Sequence, residues 1–268
     1  MANAPLLLIG AGRMGGALLK GWMANGLAPV VVVETNPSPE LCKLAKQGVT
    51  LLKNLDEAPK KIRALVIALK PQILKVEAAR LKAIASSGAP VISIAAGSSI
   101  KSMKAAWGKS ARIIRTMPNT PGAIGEGISA LYAPPDVPAK DRQLAEALLA
   151  ALGEMVWVKR ETDIDAVTAV SGSGPAYVFL MVEALAAAGV SEGLPAEVAM
   201  RLARKMVIGS GALLKADPAS AEQLRKNVTS PHGTTEAALK VLMAKNGLPP
   251  LMKRAVFAAR KRARELAR

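Results

Sequence analysis

Residues 6–15 read Leu6-Leu7-Leu8-Ile9-Gly10-Ala11-Gly12-Arg13-Met14-Gly15. A short apolar run with no basic region ahead of it reads as a first strand rather than a secretion signal. The glycine spacing G-x-G-x-x-G follows that strand directly and opens an apolar helix running toward Asn25. Gly10 permits the tight turn, Gly12 lets a pyrophosphate approach the backbone, and Gly15 lets the helix pack close to the strand. Ala11, Arg13 and Met14 fill the loop between them. The helix start presents free N–H groups and a positive dipole end to phosphate. The pattern points to a dinucleotide cofactor.

Working outward, short β-branched runs alternate with helical stretches up to about residue 160. The runs are Leu6 to Ile9, Val30 to Val33, Ala64 to Leu69, Val91 to Ala95, Arg112 to Met117, Ile128 to Tyr132 and Met155 to Val158. Such alternation predicts an α/β domain with a doubly wound, largely parallel sheet and helices on both faces. After residue 160 the strand-like runs stop. Ala, Leu, Met and basic residues then recur at helical spacing, predicting five or six helices. The expected division is 1–160 for the dinucleotide-binding domain and 161–268 for a helical domain.

In a doubly wound sheet the ligand lies beyond the carboxyl ends of the strands. The second strand ends at Val33-Glu34-Thr35-Asn36, and Glu34 lies nineteen residues after Gly15. An acid there bonds the adenosine ribose and repels a 2′-phosphate, favouring NAD. Thr35, Asn36 and Ser38 offer that phosphate hydrogen bonds instead, so NADH and NADPH both stand at this level. Two further strand ends, Ala68-Leu69-Lys70-Pro71 and Ala95-Ala96-Gly97, carry small or polar residues that extend the groove. A third, Arg115-Thr116-Met117-Pro118-Asn119-Thr120-Pro121, carries a buried-looking polar pair and two prolines in four residues, which fix the backbone and suggest a shaped wall.

In the helical half, Ser171-Gly172-Ser173-Gly174-Pro175 reads as a helix cap and hinge with Pro175 early in the helix. More informative is Thr229-Ser230-Pro231-His232-Gly233-Thr234-Thr235, which gathers hydroxyls and free N–H groups at a helix start. That set suits a carboxylate. An over-provided helix cap is the competing reading.

Composition narrows the function classes. The 268 residues are 51% apolar and 21% charged, as in a soluble globular protein. The single Cys42 and single His232 exclude an internal disulfide and a Cys/His metal cluster, so no metal is expected. The most apolar stretch, Ala176 to Val190, falls short of the roughly 20 residues needed to span hydrocarbon, so no membrane span is expected. The net charge of +16 admits an acidic partner, and the basic C-terminal helix is one place for it. The simpler account packs Leu251, Ala255, Ala258, Ala259 and Leu266 and leaves the basic residues wet. No nucleic-acid motif is present, so no nucleic acid is expected. There is no Ser/His/acid triad and no kinase loop set. Hydride transfer is chemistry a nicotinamide supplies, and a chain poor in acid–base residues fits it.

The chain resembles pyrroline-5-carboxylate reductases over nearly its whole length. The matching elements are Gly10 to Gly15, Lys70-Pro71-Gln72, Ser93 to Gly97, Met117 to Pro121, Gly125-Glu126-Gly127, Ser171 to Tyr177 and Val228 to Pro231 with Gly233-Thr234-Thr235. β-Hydroxyacid dehydrogenases share the two-domain plan, but their Lys followed three residues later by Asn is absent. The resemblance implies an N-terminal Rossmann-type domain and an all-helical C-terminal dimerisation domain, with dimers assembled into a larger ring such as a decamer. The expectation of a cytoplasmic location follows only from the absence of a targeting signal. The resemblance implies reduction of 1-pyrroline-5-carboxylate to L-proline, the last step of proline biosynthesis, with NADPH or NADH. It also implies that Gly10 to Gly15, Asn54, Ala68, Leu69, Lys70, Pro71, Ala95, Ala96 and Gly97 hold the cofactor. Ser230, Gly233, Thr234 and Thr235 would hold the substrate, with Met117, Pro118 and Asn119 beside it and Thr235 bonding the ring nitrogen. His232 stands where the family has a second glycine, and Glu236 where a small or apolar residue is common.

Overall fold

The computed structural model describes residues 4–266. By internal contacts the chain forms two compact units, one running to Gly172 and including the segment from Ala259 onward, the other Ser173–Ala258.

The first unit is built on β1 (Leu6–Ile9), β2 (Val30–Val33), β3 (Val49–Leu52), β4 (Ala64–Ile67), β5 (Val91–Ser93), β6 (Ile113–Met117), β7 (Gly127–Tyr132) and β8 (Gly153–Trp157). They form one sheet in the order β3-β2-β1-β4-β5-β6-β7-β8. All neighbours are parallel except β6 and β7. The order reverses at β1, whose neighbours are β2 and β4. That reversal opens a crevice at the carboxyl edge.

Strand β1 has no solvent face. Leu6 and Leu8 enter one core with Leu18, Leu19 and Trp22 of α1 (Arg13–Ala24). Leu7 and Ile9 enter the other with Leu74 and Leu81 of α3 (Pro71–Ala85) and Trp107 of α4 (Ile100–Trp107). A strand buried on both faces is what an uninterrupted aliphatic run yields. Each buried leucine contributes about 1.5–3 kcal/mol. The two large aromatics are also satisfied at their polar ends. Trp22 Nε1 donates to the Leu148 carbonyl at 2.7 Å, and Trp107 Nε1 to that of Ala78 at 2.9 Å.

Six of the seven expected runs lie in strands at nearly their expected bounds, and the seventh, at 155–158, sits in β8. Strand β3 was not expected. It is a four-residue edge strand with an exposed Thr50, and pairing with β2 rather than its own pattern defines it.

The contact boundary at Gly172 lies beyond residue 160, and side-chain chemistry explains the difference. Helix α6 (Asp163–Val167) buries Ile164 in the first unit. Arg115 of β6, with a side chain only 4% exposed, donates from Nη1 to Glu161 Oε1 at 3.2 Å and sets Nη2 3.6 Å from Asp165 Oδ1. Glu161 Oε1 also accepts the Ile100 N–H at the start of α4, at 2.7 Å. Asp165 Oδ2 lies 3.8 Å from Arg264 Nε, which ties in the end of the chain's last helix.

The second unit contains α7 (Gly174–Ser191), α8 (Ala196–Ala216), α9 (Ala221–Asn227), α10 (Thr234–Leu242) and most of α11 (Leu248–Leu266). Between α6 and α7 the residues Thr168–Gly172 form a π-helical turn. This turn joins the two into one helical run, Asp163–Ser191, of 29 residues. The run is long and apolar enough to cross a membrane, so length alone does not exclude a span as the sequence suggested. The apolar core of this unit is small, centred on Ala186, Ala199 and Ala203. Phe179 and Leu180 on α7 are 62% and 63% exposed. The packing expected of α11 holds only in part. Leu251 is 51% exposed, and the helix's buried residue is Ala263.

Candidate functional site

Ile9, Ile67 and Ser93 are in register across β1, β4 and β5, so the loops that follow leave the sheet side by side. These loops carry Gly10 to Gly15, Ala68 to Pro71, and Ala95 to Gly97. The parallel strand β6 delivers Met117, Pro118 and Asn119 at the same edge.

The glycines are required by close approach. Gly10 has φ +88, and a methyl there would meet the Ala68 carbonyl oxygen at 2.9 Å. A methyl on Gly15 would collide with the Gly10 carbonyl oxygen. At Gly12 a methyl would meet no protein atom within 4 Å. Gly12 caps α1 without a side-chain bond, and the first turn of α1 has no acidic residue. This helix start leaves its N–H groups to an anion. Gly12 lines two cavities, one of about 530 Å³ with Arg13, Met14 and Ser38, the other of about 340 Å³ with Glu34, Asn54, Ala68 and Lys70. The space beside Gly12 and the uncapped N–H groups fit a dinucleotide pyrophosphate.

Glu34 follows β2 and turns back to the glycine loop. Its Oε2 accepts the Ala11 N–H at 2.9 Å, and its Oε1 accepts the Asn36 N–H at 3.0 Å. Asn54 Oδ1 accepts from the Asp56 N–H at 3.1 Å and from Arg80 Nη2 at 2.8 Å. Lys70 caps α3 with its backbone, and Pro71 opens that helix. Asn119 Oδ1 accepts the Ile128 N–H at 2.9 Å, which anchors the wall to β7. Met117 touches the Gly172 position, where a methyl would meet Met117 Cε at 2.7 Å.

Three features were not read from the sequence. Arg80 lines the smaller cavity, and its guanidinium is held by Asp56 and Glu77, with the Asp56 hydrogen bond the main cause of a raised pKa. The Arg115–Glu161–Asp165 cluster is anchored on the middle residue of β6. Gly97 has φ +70, and a methyl there would meet the Leu266 main chain at 3.1 Å, so the end of α11 covers it.

In the second unit, Ser230 to Gly233 form a turn closed by the Gly233 N–H donating to the Ser230 carbonyl at 3.1 Å. Gly233 then caps α10, whose first residues are Thr234 and Thr235. The Thr229 hydroxyl is used internally, donating to the Arg225 carbonyl at 2.6 Å. The hydroxyls of Ser230, Thr234 and Thr235 have no hydrogen-bond partner among the described residues. His232 has φ +60, alone among the described non-glycine residues in the left-handed region. That conformation costs an L-residue about 1–2 kcal/mol, and His tolerates it better than most. The His232 N–H donates to Glu236 Oε2 one turn into α10, and Lys240 Nζ lies 3.1 Å from Glu236 Oε1. The His232 N–H, with Lys240 adding to it, holds the Glu236 carboxyl below its ordinary pKa. A depressed pKa means that this link is present above the ordinary carboxylate range and is lost as pH falls through the lowered value.

The comparisons with known proteins agree with this layout. The family described as pyrroline-5-carboxylate reductase dimerisation matches residues 161–266, and that described as NADP oxidoreductase coenzyme F420-dependent matches residues 6–97. A pyrroline-5-carboxylate reductase of Pseudomonas aeruginosa is 37% identical, covering 100% of this chain and 98% of its own length. One from Pisum sativum is 36% identical, over 96% of this chain and 94% of its own. The solved pyrroline-5-carboxylate reductase of Coxiella burnetii superimposes with a TM-score of 0.89 at 36% identity, covering 99% of both chains. That of Plasmodium falciparum, with NADP bound, gives 0.84 at 28% identity and covers all of both. With relatives this similar over its full length, the chain belongs to the pyrroline-5-carboxylate reductase family.

Proposed function

We propose that this protein reduces 1-pyrroline-5-carboxylate to L-proline with NAD(P)H, the last step of proline biosynthesis. Family membership supports the reading, and the observation that carries it is the Ser230–Thr235 segment, where three unpartnered hydroxyls cluster at a helix start. When bound, the nicotinamide supplies a hydride to the imine carbon. The uncapped start of α1 holds the pyrophosphate through its N–H groups. Glu34 and Asn54, which line the smaller cavity with Ala68 to Lys70, orient the adenosine ribose together with Asn36. Pro71 and Ala95 to Gly97 line the remaining length. Ser230, Gly233 and Thr234 bind the substrate carboxylate by neutral donors beside a helix dipole. Thr235 hydrogen-bonds the ring nitrogen, and Met117, Pro118 and Asn119 are further substrate-binding residues. The imine nitrogen takes its proton from solvent, so the chain needs no dedicated acid.

The test is oxidation of NADPH or NADH by purified protein with 1-pyrroline-5-carboxylate, with proline identified as product. No turnover from a folded protein that binds the cofactor would sink the substrate assignment. Thr235→Val keeps the side-chain shape and removes the hydroxyl, and it is expected to lower kcat/KM about tenfold or more while the cofactor KM stays within twofold. A transition-state hydrogen bond of about 1.4 kcal/mol corresponds to that factor.

The Glu34 charge beside the ribose works against a 2′-phosphate. Two like charges separated by several ångström near a surface repel by about 1–3 kcal/mol. Glu34→Ser is therefore expected to raise the ratio of kcat/KM for NADPH to that for NADH by about tenfold. An unchanged ratio would place the ribose elsewhere.

The exposed apolar faces of α7 and α8 are where a second copy packs, consistent with the dimerisation family matched by this region. Exposed apolar surface of this extent marks a protein contact.

A further inference from the structure

We propose that Glu236 is a positioning residue for the substrate: its carboxylate clamps the His232 N–H and so fixes the Ser230–Gly233 turn in the shape that presents Ser230, Thr234 and Thr235. The inference rests on the reading of that turn as the carboxylate site. The turn contains the one non-glycine residue with positive φ among the described residues, His232, and it is the residue whose N–H Glu236 grips. Glu236 is the third residue of α10, so its carboxylate reaches back across the first turn as the acid of a capping box does. Here it reaches past the cap to the residue before it, the strained one. The grip is charge-assisted, with Lys240 bracing the carboxylate from the next turn of the helix. The Glu236 carboxyl titrates low because of that N–H, as a bond to the charged form requires.

The mechanism assigns different roles to the two residues. His232 destabilises the turn by its backbone conformation, and Glu236 offsets this. Glycine takes φ +60 without strain, so a chain with Gly at position 232 has no need of the clamp. The pair should therefore be coupled: the effect of losing Glu236 depends on which residue occupies position 232.

Steady-state kinetics on the full-length enzyme test this with five variants. Glu236→Ala is expected to raise the KM for 1-pyrroline-5-carboxylate about tenfold, with kcat and the cofactor KM within twofold. Glu236→Gln, whose amide oxygen still accepts, should fall between. His232→Gly alone should change KM less than twofold. His232→Gly combined with Glu236→Ala should return KM to within about twofold of the parent. Purely structural damage would lower kcat and enzyme content together and would not be rescued by glycine. A KM that is unchanged or lower in Glu236→Ala, or a double variant as poor as Glu236→Ala, overturns the proposal. Ser230→Ala separates the two levels. If it raises KM while Glu236→Ala does not, only the clamp falls; if it leaves KM unchanged, the carboxylate-site reading falls and the clamp with it.

Discussion

A Gly12→Val variant is expected to fold and to melt within about 2 °C of the parent, yet to lose at least a hundredfold in NAD(P)H affinity. The reason is the emptiness beside Gly12. A methyl there meets no protein atom, and the backbone, at φ −66 and ψ −160, is one that an L-residue adopts. The protein therefore has no steric objection to a side chain. A pyrophosphate lying against the same backbone does, because the branched side chain occupies its volume and masks the N–H groups it would bond. A hundredfold loss is about 2.7 kcal/mol, less than a lost set of charge-assisted bonds would give. Two neighbours serve as controls. Gly16→Ala places a methyl 3.4 Å from the Ala11 carbonyl oxygen, an ordinary contact, and should bind normally. Gly15→Val drives a side chain into the Gly10 carbonyl and should damage folding itself. Fluorescence titration with NADH and thermal melts separate the three. Normal binding by Gly12→Val would mean that the phosphates do not lie on this loop.

Arg115→Ala is expected to destabilise the protein by about 3–5 kcal/mol, because it strands two carboxylates that are poorly hydrated. Glu161 would retain only the Ile100 N–H, and Asp165 only the distant Arg264. For a unit of this size about 2–4 °C is lost per kcal/mol, so the melting temperature should fall by about 10 °C at fixed protein concentration. Replacing all three members, as Arg115→Met with Glu161→Gln and Asp165→Asn, should recover most of that loss, since no charge is then left unpaired. A melting temperature within 2 °C of the parent in Arg115→Ala would show that the cluster does not hold β6, α4 and α6 together.

The legibility of this chain in its sequence follows the range of the interactions. The glycine loop was readable because strand, turn and helix are contiguous and each glycine has a local reason. Glu34 was placed at the strand end correctly, but that its carboxylate would fold back onto Ala11 depends on the register of β1 with β2. Arg115 was quoted only as the first residue of a strand end, and its ion pairs were not foreseen. Its partners lie 46 and 50 residues further on, and no local pattern announces such a pairing. The helical run from Asp163 was read as shorter than it is because a π turn has no sequence signature, so Ser171-Gly172 looked like a break. His232 and Glu236 were each noticed as departures, and only the backbone angle and the hydrogen bond reveal them as one adjustment.

Strand β1 sets a limit on how this protein can drift. Its four side chains alternate between two separate cores, so insertion or deletion of a single residue would not shift one surface but exchange the contents of both. Nor is any of the four positions neutral to a polar residue, since each points into a dry interior. Lineages of this enzyme can rework the outer faces of their helices freely, whereas residues 6–9 have only the small alphabet of aliphatic side chains with which to vary.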